Sequence, residues 1–252
     1  IVEGVTEFLP ISSTGHLILF GKLLGVADTD FTKSFEIAIQ FGAILAVVAL
    51  YWKKFLTGAD VWKKVFTAFL PTAVVGFLLY KVLKSYLLGN AMLVVWALTL
   101  GGFALVAFEI WHQKNSYKTD GRGIRKSFEV SQRNAFLIGL AQASAIIPGV
   151  SRSGATIIGG LLMGIKRETI VEFSFLLAVP TMAAATSYDL YKSAGSFSFG
   201  EFHILAIGFV VSFIVALVSI KWLLYFIKNH TFTSFGVYRV LVAVIFWFLV
   251  VR

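Results

Sequence analysis

The sequence predicts an all-α polytopic membrane protein with six transmembrane helices and two re-entrant helical hairpins in an inverted repeat. Three observations predict it. The 252 residues are 58% hydrophobic and only 14% charged, too little charge to cover a soluble domain of this length. The apolar residues fall in continuous runs near the roughly 20 that a helix needs to cross a bilayer, not in the alternating short strands of an outer-membrane barrel. Two further apolar runs are each broken by proline, hydroxyl and glycine residues.

Taken in order, the chain opens on Ile1–Leu24, interrupted by Pro10 and "SSTG". This run lacks the charged start and cleavage site of a signal peptide, and without an initiating Met a natural start upstream of Ile1 is expected. Three candidate spans follow: Ser34–Trp52, Phe66–Leu88 and Ala91–Trp111. A basic loop, residues 112–133, leads to the second broken run, Asn134–Ile165, interrupted by "PGVSRSG". The last three spans are Phe173–Leu190, Phe202–Ile220 and Val237–Val251. The whole reads as one integral membrane domain whose halves are approximately residues 1–111 and 134–251.

A proline ends one helix and a hydroxyl residue caps the next. Helix, break and helix within one apolar run describe a hairpin that returns to its own side, which is tolerated only where it is buried in protein or lines a wet cavity. "LPISSTG" (Leu9–Gly15) and "IPGVSRSG" (Ile147–Gly154) share the apolar-Pro, Ser and Ser/Thr-Gly pattern, with one residue inserted in the second. Each precedes three spans, and "FLPTA" (Phe69–Ala73) is echoed by "AVPTM" (Ala178–Met182). The charges give the orientation. With Trp52–Val65, His112–Arg133, Lys166–Glu172 and Lys221–Gly236 inside, those loops carry 14 Lys and Arg against 6 outside. That bias satisfies the positive-inside rule and places the first hairpin outside and the second inside, with both termini outside. Such inverted halves bring two broken helices together near the bilayer midplane. The same distribution explains the net charge of +9 without a nucleic-acid partner. The chain has no cysteine, so neither disulfides nor thiol chemistry are available.

Chemistry gathers at the two breaks. Glu3 and Glu7 lie four apart, on one face of a helix, and acids within a membrane are functional candidates by default. Two together call for a cation between them or a shared proton. Arg152 stands in the uncharged stretch from Asn134 to Ile165, just after Pro148-Gly149. With Ser151, Ser153 and Gly154 at a new helix start, it makes an anion site of dipole, hydroxyl donors and guanidinium fork. Ser12, Ser13, Thr14 and His16 add hydroxyls and a base within one helical turn of Ser13. Together the set matches phosphoryl transfer, which needs cationic clamps, an in-line nucleophile and usually a metal held by one or two carboxylates. Ser13 is the favoured nucleophile, with His16 as its base or as the acid for the leaving group. Glu7 as that base, and His16 as a nucleophile in its own right, are the alternatives.

"EGVTEFLPISSTGHL" (Glu3–Leu17) and "PGVSRSGAT" (Pro148–Thr156) resemble the two signature motifs of the BacA-type undecaprenyl-pyrophosphate phosphatases, and "FEIAIQFGAILAV" (Phe35–Val47) and "EFSFLLAVP" (Glu172–Pro180) match further stretches of that family. The resemblance implies hydrolysis of the C55 isoprenoid diphosphate to monophosphate and phosphate in the bacterial inner membrane. It thereby implies recycling of the carrier lipid of wall synthesis and resistance to bacitracin. It also implies a divalent cation, Mg²⁺ or Ca²⁺, at Glu3 and Glu7, and catalytic roles for Glu3, Glu7, Ser13, His16 and Arg152. Ser12, Thr14, Ser151, Ser153 and Gly154 are the expected substrate contacts. A homodimer is an open alternative to a single chain.

"STGH" is similar to the "PSGH" of the PAP2 phosphatases, but none of the four prolines follows an arginine, and no histidine follows Ser151-Arg152 before Ile165. A transporter or flippase of a phospho-isoprenoid lipid would share broken helices and inverted halves, yet would need neither the glutamate pair nor Ser13 with His16. Other features read as packing or interface. Glu36 and Gln40 share a helix face, either as walls of the cavity or as hydrogen-bonded packing, His112, His203 and His230 sit at segment ends, and the tryptophans lie mostly near ends as belt anchors. Arg239, just inside the last span, is expected to snorkel or to pair with an interior acid.

Overall fold

The computed structural model describes residues 1–27, 29–82, 86–87, 90–119, 129–193 and 202–251. Their regular structure is helical, in ten α-helices: α1 Val2–Thr6, α2 Ser13–Leu23, α3 Asp30–Thr57, α4 Ala59–Val82, α5 Ala91–Thr119, α6 Gln132–Ala143, α7 Arg152–Leu162, α8 Arg167–Ser193, α9 Phe202–Phe226 and α10 Thr233–Phe246. Six stretches are long and apolar enough to cross a membrane: Phe31–Leu56, Ala59–Leu79, Ala91–Lys114, Arg167–Tyr188, Phe202–Phe226 and Thr233–Val250. Every expected span overlaps one of them. Large apolar side chains on α4, α5, α9 and α10, among them Phe77, Phe103, Ile207 and Val218, face outward, as a lipid solvent requires.

The helices run further than the apolar runs do. The expected loop at Trp52–Val65 is two helix ends separated by Gly58 alone, and the expected loop at Lys166–Glu172 already contains the first turns of α8. Of the basic loop 112–133, residues up to Thr119 continue α5, and residues 120–128 lie outside the described residues. The reason is physical: hydropathy stops where hydrocarbon stops, but backbone hydrogen bonds persist into the polar interface. Lys54 there pairs with Glu172, and Arg167 reaches Glu109 at 2.9 Å and the His230 carbonyl at 3.2 Å. The C-terminal ends of α3 and α5, the start of α8 and the α9–α10 turn are thereby fastened together.

Both broken runs form helix, break and helix. At the first, α1 gives way after Thr6 and α2 starts at Ser13. At the second, α6 tightens into a 3₁₀ turn at Ser144–Ile146 and α7 starts at Arg152. The two restarts share one backbone. Ser12 (φ 72°, ψ 94°) accepts from the Gly15 amide at 3.3 Å, and Ser151 (φ 80°, ψ 111°) accepts from the Gly154 amide at 3.2 Å. They are the non-glycine residues of positive φ among the described residues, a conformation that costs energy and clusters at functional sites. This capping aligns Ser12-Ser13-Thr14-Gly15 with Ser151-Arg152-Ser153-Gly154, so the inserted residue falls between the proline and the cap.

Packing crosses between the halves. α3 lies on α9 and α8, α4 on α8 and α6, α5 on α10, and α1 on α9. Gln142 of α6 donates to Thr72 (2.8 Å) and Thr181 (3.2 Å), each the residue after an intrahelical proline, Pro71 and Pro180. One buried cluster, including Phe8, Val47, Phe175 and Ile220, fills the space around the first break, α3, α8 and α9. A smaller cluster of Leu19, Val94, Leu98, Val242 and Phe246 joins α2, α5 and α10. The two breaks meet between them.

Candidate active site

Ser13 and Arg152 are the first residues of α2 and α7, each placed by the preceding positive-φ serine cap. Both reach Glu7. The Ser13 hydroxyl donates to Glu7 Oε2, while the Arg152 guanidinium donates to Glu7 Oε1 from Nη2 at 3.2 Å and from Nε at 3.4 Å. The remaining guanidinium nitrogen donates to the Ser174 carbonyl at 2.8 Å, and the Ser174 hydroxyl meets Thr156 Oγ1 at 2.6 Å. Glu7 is thus bracketed by a hydroxyl on one oxygen and a cation on the other, at the starts of two helices whose dipoles favour an arriving anion.

Glu3 precedes Glu7 by one turn, with the Glu7 amide bonded to the Glu3 carbonyl at 2.9 Å. Its side chain is 1% exposed and neither carboxylate oxygen has a hydrogen-bond partner. Burial holds this carboxyl well above its ordinary value, and the nearby carboxylates of Glu7 and Glu36 push the same way. A buried acid without donors calls for a proton or a cation. The ligand chemistry fits a divalent cation, which would take hard oxygens from these two carboxylates one turn apart. Among the described residues no third acid or histidine joins them as a ligand group.

His16 is placed differently from expectation. Its Nδ1 meets the Ser12 carbonyl at 2.7 Å and its Nε2 meets the Tyr238 hydroxyl at 3.0 Å, with the two rings parallel and 5.6 Å apart. It makes no hydrogen bond to Ser13. Burial lowers its pKa from the ordinary value, opposed by the bond to Ser12. The base in contact with Ser13 is therefore Glu7. A helical turn separates Ser13 from His16 in sequence, but the imidazole turns toward α10.

The expected substrate contacts are engaged unequally. Ser153 Oγ donates to the Leu9 carbonyl at 2.7 Å and lies 3.2 Å from Ser151 Oγ, so it ties α7 to the first break. The Gly15 and Gly154 amides serve the caps, and Thr14 is exposed. Sequence reasoning missed Tyr238, which lies in no motif, and gave no role to Thr156 and Ser174, although both fall within the matched stretches Pro148–Thr156 and Glu172–Pro180. It also misplaced Arg239. That side chain is 2% exposed and neither snorkels nor pairs with an acid. It donates to the carbonyls of Pro10, Gly149 and Val150 in the two breaks, and to those of Ala97 and Leu98 on α5. An arginine carries five N–H donors that carbonyls can satisfy as well as a carboxylate can, and the sequence does not show which backbone oxygens are left open.

With this geometry in hand, residues 1–245 match the model of the family described as bacitracin resistance protein BacA. The chain belongs to this family. It is 54% identical to the undecaprenyl-diphosphatase of Aquifex aeolicus (strain VF5), over 98% of this chain and 94% of that protein. The undecaprenyl-diphosphatase of Sulfurihydrogenibium sp. (strain YO3AOP1) is 52% identical over 98% and 95%, and that of Wolinella succinogenes 48% over 98% and 94%. The family match covers both breaks, so Glu7, Ser13 and Arg152 all lie within it.

Proposed function

We propose that the chain hydrolyses undecaprenyl diphosphate to the monophosphate and phosphate, recycling a carrier lipid for wall synthesis and conferring bacitracin resistance. The observation that carries the chemistry is Glu7 held between Ser13 and Arg152. Ser13 Oγ attacks the terminal phosphorus and its proton passes to Glu7 Oε2. The P–O bond to the bridging oxygen breaks, and undecaprenyl monophosphate leaves. Water then cleaves the phosphoserine, releasing phosphate and restoring the hydroxyl. Protonation removes the charge on Glu7 that holds Arg152, so the guanidinium fork turns to the equatorial phosphoryl oxygens as their charge develops. A Ser hydroxyl is a weak nucleophile until such a base is adjacent, and the start of α2 stabilises the forming alkoxide. His16, held by Ser12 and Tyr238, is the candidate acid for the leaving phosphate.

A divalent cation, Mg²⁺ or Ca²⁺, belongs to the proposal, held by Glu3 and Glu7. When bound it supplies positive charge against the diphosphate. The inverted repeat of two re-entrant hairpins, in a bacterial inner membrane with both termini on the outer face, belongs to the proposal as well. The exchanged packing supports it: the first span of each half lies on the second span of the other, and α1 and α6 each lie on the other half's second span, α9 and α4. A homodimer is compatible with the reading and is tested by the mass of the detergent-solubilised protein.

The deciding experiment is phosphate release from C55 diphosphate by pure protein in detergent, with and without EDTA. Turnover that EDTA abolishes and added Mg²⁺ or Ca²⁺ restores is expected. Absence of release from any prenyl diphosphate would return the transporter reading to the front. Full turnover in EDTA would instead make Glu3 and Glu7 a pair sharing a proton.

A further inference from the structure

We infer that Arg239 is a positioning residue for this reaction, a clamp that sets the two breaks against each other so that Ser13 and Arg152 converge on Glu7. The inference rests on the phosphatase reading above. Each of the five guanidinium N–H groups has its own carbonyl. Nε donates to Leu98 at 3.4 Å; one terminal nitrogen donates to Pro10 at 3.3 Å and Val150 at 3.0 Å; the other donates to Ala97 at 3.0 Å and Gly149 at 2.8 Å. The decisive contact is the shared one. A single nitrogen bridges Pro10, three residues before Ser13, and Val150, two residues before Arg152. Carbonyls in a break lack helical partners, and leaving them unmet while buried costs free energy. The guanidinium satisfies them and fixes their separation at the same time.

The surroundings are shaped for this head group. A Cβ on Gly101 would overlap the guanidinium, and one on Gly102 would press on the Gly236 carbonyl at 2.7 Å and Arg239 Cβ at 3.1 Å. Glycine at those positions lets α5 and α10 approach closely enough for the side chain to cross to the breaks. Lysine cannot replace it. An ammonium has three donors at one point, so it can serve one break or the other but cannot span both and α5 together. With every N–H of Arg239 given to a backbone carbonyl, none is left for substrate; it acts through Ser13 and Arg152.

The test is a double-mutant cycle on prenyl diphosphate hydrolysis by the full chain in detergent. Arg239→Lys keeps the charge and loses the span; Gly101→Ala keeps the arginine and displaces it. Each is expected to lower kcat by about ten- to a hundredfold with KM within about twofold, because the tail and diphosphate still bind while the reacting groups are misaligned. In the double variant Gly101→Ala should add almost nothing, since the shorter lysine head has vacated the space it fills. Losses that multiply would mark two independent packing defects and overturn the clamp, as would an Arg239→Lys enzyme of undiminished kcat. Should Arg239→Lys not fold, Gly101→Ala alone decides, through kcat against KM at unchanged elution as a single folded species. If the parent protein itself releases no phosphate, the phosphatase reading has failed and not the clamp.

Discussion

At the residue scale, the two serines that precede the helix starts deliver unlike side chains to one carboxylate. Ser12 and Ser151 hold the same strained backbone, and the next residue is a hydroxyl in one case and a guanidinium in the other. The same local fold thus presents a nucleophile and a clamp. Because Ser13 donates to Glu7 and not to His16, Ser13→Ala should lose about a thousandfold or more in kcat. Glu7→Gln should lose about a hundredfold or more, as removal of a general base does. His16→Ala should retain at least ten times the turnover of Glu7→Gln. The check is initial-rate phosphate release at saturating substrate. An acid-labile, base-stable phosphoenzyme that persists in Ser13→Ala would transfer the nucleophile to His16. Arg152→Lys should recover little of the loss in Arg152→Ala, since one ammonium cannot keep both the Ser174 carbonyl and a bidentate hold on phosphate.

At the element scale, glycine decides how close the helices come. A Cβ on Gly139 of α6 would overlap the Ala68 carbonyl on α4, and one on Gly4 of α1 would meet the Ser212 carbonyl of α9 at 2.7 Å. Close backbone approach is the ordinary means of helix association in lipid, where no hydrophobic force joins apolar surfaces. Gly139→Ala must push α6 away from α4 and away from the Thr72 and Thr181 contacts of Gln142. A loss of about 1–3 kcal/mol is expected, as for overpacking in a closed interior, read as a lower midpoint in thermal unfolding in detergent. A midpoint unchanged from the parent would mean that α6 is free to shift. Such features explain what the sequence did and did not disclose. Pro10, Pro148 and the capping serines announce the two breaks, because proline and hydroxyl residues act on the backbone beside them. Intramembrane charge announces Glu3, Glu7 and Arg152. The partner of Arg239 could not be read, because it is a set of main-chain oxygens on three elements, and Tyr238 could not, because its role is set by the direction of the His16 ring. Helix ends were misjudged for the simpler reason that hydropathy marks the membrane and not the helix.

At the scale of the whole molecule, the proposed inversion makes a claim about sides. The two breaks carry the same capping backbone, and a re-entrant hairpin returns to the side from which it entered. If the halves are inverted, the free end of α2 and the fastened ends of α3, α5 and α9 must face opposite compartments. The side of those fastened ends carries Lys54 at the end of α3, Lys63 and Lys64 near the start of α4 and Lys228 after α9, in keeping with a basic inner face. The absence of cysteine makes the test clean. Lys22, in the last turn of α2, Lys63, near the start of α4, and Lys228, in the α9–α10 turn, are all exposed. Lys22→Cys should react with a membrane-impermeant maleimide in intact cells stripped of their outer barrier, whereas Lys63→Cys and Lys228→Cys should react only after the membrane is opened. Each single variant should retain phosphate release, so that labelling reports the native topology. Reaction of all three from the same side would remove the inversion, and with it the reason for two broken helices to meet from opposite faces. The contact of Glu7 with Ser13 and Arg152 would then need another origin.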